Sequence, residues 1–359
     1  MIYAYGITTQ GTYHIKNSIV CQDSHEIVKC SDEIVIAAVA DGLGSSEHSK
    51  VASSIAAKTS TSHCKDNIIM ANSTNDILDT IKASFSIAQQ AIEKEAKVQG
   101  HDLNQYDTTL TLAVMAKGSL FFGHSGDSGI VALTSEGLYE KVTEQQRDED
   151  NHVFPLFFED RWVFGKYDRE VCSVLLATDG MLEPLFPSLI KDENVNIHIH
   201  LARFLMDNRS LCIDSEGEST VRERIEKFIL NIPDEQVNDD KTIVVLVDSS
   251  TESKLQPDDY YKEPDWAELK RKRDEEWKRI AYPHLFKGEN TEKPQDNGAL
   301  NIGASDDKIE DNISQDSKTT NEILSENTPT NPFESDTAET KVEVASQKKR
   351  NGLMGFMKK

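Results

Sequence analysis

Hydrophobic positions in the first 250 residues fall into two kinds of pattern. EIVIAAVA (33–40) is a continuous apolar run, as a strand covered on both faces requires. TLTLAVMA (109–116) and SLFFGHSG (119–126) follow one another across Lys117-Gly118, which predicts a hairpin. SGIVALT (128–134) and GLYEKVT (137–143) flank Ser135-Glu136 and predict a second pair. CSVLLATDG (172–180) and KTIVVLVD (241–248) each hold a further buried strand. Helical spacing appears between these runs. Residues 75–97 place Ile77, Ile81, Phe85, Ala88 and Ile92 on one face. Residues 46–63, rich in Ala, Ser and Lys, predict a helix, as do 195–207 and 219–231 with Val221, Ile225, Phe228 and Ile229 as a stripe. Adjacent antiparallel pairs with helices in separate blocks favour α+β over a doubly wound parallel sheet.

Beyond residue 250 the pattern changes. Residues 265–282 predict a charged helix with Trp266, Leu269, Arg273, Trp277 and Ile280 toward one side, suited to docking on the main domain or on a partner. Residues 288–346 are rich in Asn, Asp, Ser, Thr and Glu, a composition that predicts disorder. In the last residues, 347–359, Lys348, Lys349, Arg350, Lys358 and Lys359 surround Leu353, Met354, Phe356 and Met357. Such a tip suits a docking peptide or weak membrane contact, and equally an inert tail. The expected organisation is a domain over 1–250, a linker and helix over 251–287, a disordered linker over 288–346 and the basic-apolar tip.

Composition narrows the function. The net charge of −23 disfavours nonspecific nucleic-acid binding, because phosphates would be repelled. Five cysteines without a C-x-x-C pair point to a reduced, cytoplasmic protein rather than a disulfide scaffold or zinc site. The longest apolar run, about eight residues, is far short of the roughly 20 a membrane helix needs.

Aspartates at strand ends carry the candidate chemistry. Asp41 follows the first apolar run in VADGLGS, and the adjacent Gly42 leaves its carbonyl open to close approach. Asp179 follows VLLAT, Asp239 and Asp240 precede IVVLVD, Asp127 lies between two strands in HSGDSG, and Asp23 lies in CQDS. A single Asp-Gly is ordinary turn chemistry. Several aspartates projecting from rigid strand ends suit hard divalent cations, which take oxygen ligands. A pair of such ions can activate water for phosphate ester hydrolysis.

In this order and context, CQD (21–23), VADGLGS (39–45), DTTL (107–110), GDS (126–128), ATDG (177–180) and DDKT (239–242) resemble the metal-dependent serine/threonine protein phosphatases of the PPM or type 2C family, in a divergent bacterial-type form. The resemblance implies a four-layer α-β-β-α sandwich with two antiparallel sheets face to face and helices outside each. It implies two Mg2+ or Mn2+ ions, with a weaker third. Asp41 would bridge the first two, Asp179 and Asp239 would complete one ligand set, and the Gly42 carbonyl would serve the other. Asp127 would hold the third ion and Asp23 would orient water. A hydroxide shared by the metals would attack phosphorus in line, on a phosphoserine or phosphothreonine of a protein substrate, such as a cognate kinase or its targets.

The sequence departs from the family pattern at several points. Gln22 stands where the N-terminal acidic pair has its first carboxylate, and Ser18 stands about where the phosphate-binding arginine is usual. His14 or Lys16 could replace that positive charge. Leu43 occupies a position where some members carry a candidate acid histidine, and Asp107 precedes Thr108-Thr109 in place of Gly or Ser. His48, His63 and His124 lack metal-ligand spacing and are expected to be structural. Aromatics over 154–165 are expected mostly in the core, with some lining the cleft. Gln22 and the missing arginine leave a second reading: a phosphatase-like regulatory module of weak or no turnover, recruited through its tail.

Overall fold

The computed structural model describes residues 1–286 apart from 69, 72, 192 and 194. The expected disordered linker and basic-apolar tip lie outside the described residues.

Ten strands run in chain order: β1 (Ile2–Thr9), β2 (Ser24–Ser31), β3 (Ile34–Ala40), β4 (Leu110–Ala116), β5 (Ser119–Ser125), β6 (Gly129–Thr134), β7 (Tyr139–Lys141), β8 (Val163–Lys166), β9 (Val171–Ala177) and β10 (Lys241–Asp248). They build two antiparallel five-stranded sheets, ordered β1-β10-β9-β6-β7 and β2-β3-β4-β5-β8. The chain crosses from the second sheet to the first between β5 and β6, so the GDS turn sits where the sheets meet.

The sandwich explains the unbroken apolar runs. Val35, Ala37 and Val39 of β3 point between the sheets, against Ala113, Met115, Ile130, Val174, Leu176, Val244 and Leu246. The alternate residues Ile36, Ala38 and Ala40 point outward to helices α2 and α3. A strand sandwiched in this way has no face left for polar side chains.

The described residues include nine helices. The short α1 (Thr12–Asn17) precedes α2 (Ser49–Ile68) and α3 (Thr74–Gln99), which pair with each other against the second sheet. The apolar stripe of α3 is buried through Ile81, Phe85, Ala88 and Ile92. Ser73 Oγ caps it by accepting from Asp76 N at 3.2 Å, and Gly100 ends it at φ +74°. On α2 the buried face is made of small residues (Ala52, Ser53, Ala56, Ala57, Ser60), which let the helix lie close to its neighbours. It starts at Ser49 rather than at the expected Ser46, because Ser46 Oγ is held outside the helix by Asn104 O and Asp107 Oδ2.

The other sheet is covered by α4 (Asp179–Leu185), α5 (Ile199–Met206) and α8 (Glu218–Leu230), with two single-turn helices, α6 (Asn208–Leu211) and α7 (Ile213–Glu216), between α5 and α8. The expected helix over 195–207 is shorter at its start: His198 N donates to Leu185 O, which ties the preceding residues to α4. The last helix, α9 (Trp266–Ala281), docks by its first half. Trp266 packs edge-on to His198, and Arg273 donates to Ser188 Oγ at 2.7 Å. Trp277 and Ile280, in its second half, are exposed. No helix among the described residues is long and apolar enough to cross a membrane. All five cysteines are free.

Candidate active site

The aspartates singled out in the sequence converge on one edge of the sandwich. Asp41 leaves the end of β3 with its backbone held on both sides. Its N–H donates to Thr109 Oγ1 at 2.9 Å, and its carbonyl accepts from Thr108 Oγ1 at 2.8 Å and Thr109 N at 2.8 Å. The Thr-Thr pair is therefore a clamp on the aspartate, and Thr109 Oγ1 also meets Ser128 Oγ of the GDS turn at 3.1 Å. Asp107 braces the loop after Asp41: its carbonyl accepts from Leu43 N and its carboxylate from Ser46 Oγ. Asp179 opens α4, directly after β9. The tight packing needs Gly42, because a Cβ there would stand 2.7 Å from Ser49 O and 2.9 Å from Gln22 O.

Ligand-capable oxygens of Asp41, Asp127 and Asp179 all lie within 4.8 Å of one another. Asp41 and Asp179 are half-buried at the cleft, and Asp127 is buried with its Oδ1 unpaired among the described residues. Burial pushes all three carboxyls up, and neighbouring negative charge adds to it: Asp23 and the other cluster members at Asp41, Asp179 at Asp127, and Asp239 at Asp179. Asp127 reaches about 6, with the Arg147 guanidinium acting against the rise.

Asp23 lies behind this trio. It is buried, accepts from Thr178 Oγ1 at 2.7 Å, and is pushed up to about 8 by burial. Asp239 is exposed and close enough to Asp179 to raise its pKa. Its neighbour Asp240 is buried and occupied: Oδ1 accepts from Gly11 N at 2.7 Å and Oδ2 from Gln22 N at 2.6 Å. His14 is buried with Nδ1 2.9 Å from Asp240 Oδ1, without the alignment of a hydrogen bond. Lys16 points outward and pairs with Asp234 at 2.9 Å. A groove of about 160 Å³ runs between Asp179, Gly180 and Glu183 on one side and residues 234–239 on the other. Gln22, in place of a carboxylate, donates to Ser49 Oγ at 2.7 Å.

One functional candidate had no sequence signal. Arg147 Nη2 donates to Asp127 Oδ2 at 2.6 Å and to Asp179 Oδ2 at 3.1 Å. It lies in the polar stretch 144–152 of the connection between β7 and β8, and only the folding of that connection brings it to the cluster. Among the other histidines, His124 is buried between Thr111 Oγ1 and Glu144 O. His48 stacks on His101 at 4.1 Å, and His63 is on α2. Of the aromatics over 154–165, Trp162 and Phe164 pack on Phe85, while Phe158 is exposed.

Could these residues hold divalent cations? An unpaired buried carboxylate oxygen, three oxygens already gathered, and an all-oxygen donor set fit hard ions such as Mg2+ or Mn2+.

Two antiparallel sheets face to face, with aspartates gathered at converging strand ends, fit the architecture expected of a metal-dependent phosphatase. The profile of protein phosphatase 2C matches residues 10–216, and the chain belongs to that family of protein-serine/threonine phosphatases. Similar solved structures include the serine/threonine phosphatase Stp1 from Staphylococcus aureus, at 14% identity and TM-score 0.48, covering 69% of this chain and 95% of that one. They also include the serine/threonine phosphatase PstP/Ppp of Mycobacterium tuberculosis, at 17% identity and TM-score 0.46, covering 68% of this chain and 98% of that one. A catalytic domain of PstP, in complex with 2 manganese ions, is 18% identical with TM-score 0.46, covering 68% and 97%. No curated protein matches the chain.

Proposed function

We propose that this chain hydrolyses phosphoserine and phosphothreonine in proteins at the cluster of Asp41, Asp127 and Asp179. The single observation that carries this reading is the convergence of these three carboxylates within 4.8 Å. Asp41, Asp179 and Asp239, with the Gly42 carbonyl, would hold two divalent cations, and Asp127 would hold a third. Such ions lower the pKa of water and neutralise charge on phosphoryl oxygens.

The protein's own groups set the geometry. Thr108 and Thr109 fix Asp41 through its backbone, so the carboxylate is pre-positioned before substrate arrives. We assign Asp23 the orienting of the attacking water. Its carboxyl is buried behind the trio and held by Thr178 Oγ1 at 2.7 Å, which fixes the direction in which it can accept from a water. Asp240 and His14 set the loop that presents Asp239. Lys16 stands over Asp234 at the groove, where an exposed ion pair is cheap to break, and it can turn to a phosphoryl group.

The test is phosphate release from a phosphothreonine peptide with Mn2+, with Mg2+ and with EDTA, beside an Asp41→Asn, Asp179→Asn double variant. Metal-dependent release that the variant loses is the expected result. No release from folded protein with either metal would replace this reading with the regulatory module.

A further inference from the structure

The geometry points to Arg147 as a built-in competitor for the divalent cation at Asp127 and Asp179, a tethered positive charge that occupies the two carboxylates until a metal displaces it. This rests on the phosphatase reading, because it concerns the same carboxylates.

One guanidinium nitrogen serves both acids, at 2.6 Å and 3.1 Å, so a single positive charge sits between two negative ones. With Asp41 in the same cluster, three carboxylates face one cation, and the neutralisation is incomplete. Asp127 Oδ1 is buried and has no hydrogen-bond partner among the described residues. The arrangement therefore holds the carboxylates together and leaves them able to accept a stronger cation.

The backbone around Arg147 is anchored independently of its side chain. Gln146 N donates to Gly126 O, and Gln146 Oε1 accepts from Gly126 N at 3.0 Å. Gln145 Nε2 donates to Asp127 O at 2.8 Å, and Arg147 itself bridges to Val153. The guanidinium therefore stays beside the site even when its ion pairs break, and its effective concentration there remains high. The side chain is 28% exposed, so it can withdraw toward solvent without disturbing the core.

The experiment is a Mn2+ titration of the full chain by calorimetry, with melting in EDTA and in saturating Mn2+, on wild type, Arg147→Gln and Arg147→Lys. The Asp127-dependent binding step is identified by its loss in Asp127→Asn. Arg147→Gln should tighten that step about tenfold, within the usual range of coupling between sites. It should lower the melting temperature in EDTA and leave it unchanged in Mn2+, because the metal has already displaced the guanidinium. Arg147→Lys, which keeps the positive charge on a shorter side chain, should tighten the same step by a smaller factor. It carries the test if Arg147→Gln does not fold without metal. Unchanged or weaker Mn2+ binding in the variants, or an equal loss of melting temperature with and without Mn2+, would overturn the competitor role and leave Arg147 as a loop clamp. A wild type that binds no Mn2+ would overturn the metal reading and this one together. A wild type that binds Mn2+ with Arg147 variants that do not differ would overturn this one alone.

Discussion

Two acidic clusters stand side by side in this molecule and are built oppositely. In the cluster of His14, Asp239 and Asp240, the buried carboxylate is Asp240, and two backbone N–H groups occupy its oxygens. In the cluster of Asp41, Asp127 and Asp179, one arginine nitrogen is shared between two carboxylates, and a buried Asp127 oxygen has no partner among the described residues. Asp240 and Asp127 are the same residue type and are similarly buried. What separates a strut from a candidate ligand is how fully the protein itself satisfies the carboxylate's oxygens.

The contrast is sharpest in its response to pH. Asp23 and Asp127 have folded pKa values near 8 and 6, above the roughly 3.9 of an unfolded aspartate. Between about pH 4 and 8 the metal-free folded state binds more protons than the unfolded one, so its stability falls as pH rises. Each group contributes up to about 1.4 kcal/mol per pH unit inside its own window. Divalent cations should remove most of this slope, and the gain in melting temperature on adding Mn2+ should be larger at pH 8 than at pH 5. Equal gains at both would mean that the cluster is not where the metal binds.

Substitution should divide the clusters next. Asp179→Asn should cut phosphate release more than about 100-fold, the upper end of what even an outer-sphere change costs at a metal site. The same change should raise the melting temperature in EDTA, because it removes a repelling charge. Asp240→Ala should do the reverse: it strands two buried backbone donors and costs about 3 kcal/mol of stability in denaturant melts, with metal or without. An Asp240→Ala protein of normal stability would erase the distinction.

The smallest expected effect concerns the clamp. Thr109→Val removes the acceptor for Asp41 N and the contact with Ser128, and should cost about 1 kcal/mol. Activity should fall further than that loss of stability accounts for, since Asp41 loses its positioning. Rates measured well below the melting transition separate the two.

Much of the fold was legible because the sandwich buries both faces of its central strands. The run over 33–40 and the strand before Asp179 are uninterrupted for that reason, and Lys117-Gly118 at positive φ makes the expected hairpin turn. The strands β1, β2 and β8 were less visible. In β2 most positions are only half-buried, and β8 is a four-residue edge, so polar residues dilute the signal. The candidate site was legible as strand-end aspartates because their positions follow from where apolar runs stop.

The sequence by itself determined which segments are strands, which carboxylates stand at their ends, and the family to which that order belongs. Only the tertiary structure decided that Asp240 is tied to Gly11 and Gln22 while its neighbour Asp239 is exposed, and that Thr108 and Thr109 grip the backbone of Asp41. It also brought Arg147 to Asp127 and Asp179 from a loop with no distinguishing pattern. The physical reason is one of range. Burial periodicity is written in neighbouring residues, whereas the pairing of Arg147 with Asp127 and of Asp240 with Gly11 joins groups 20 and 229 positions apart.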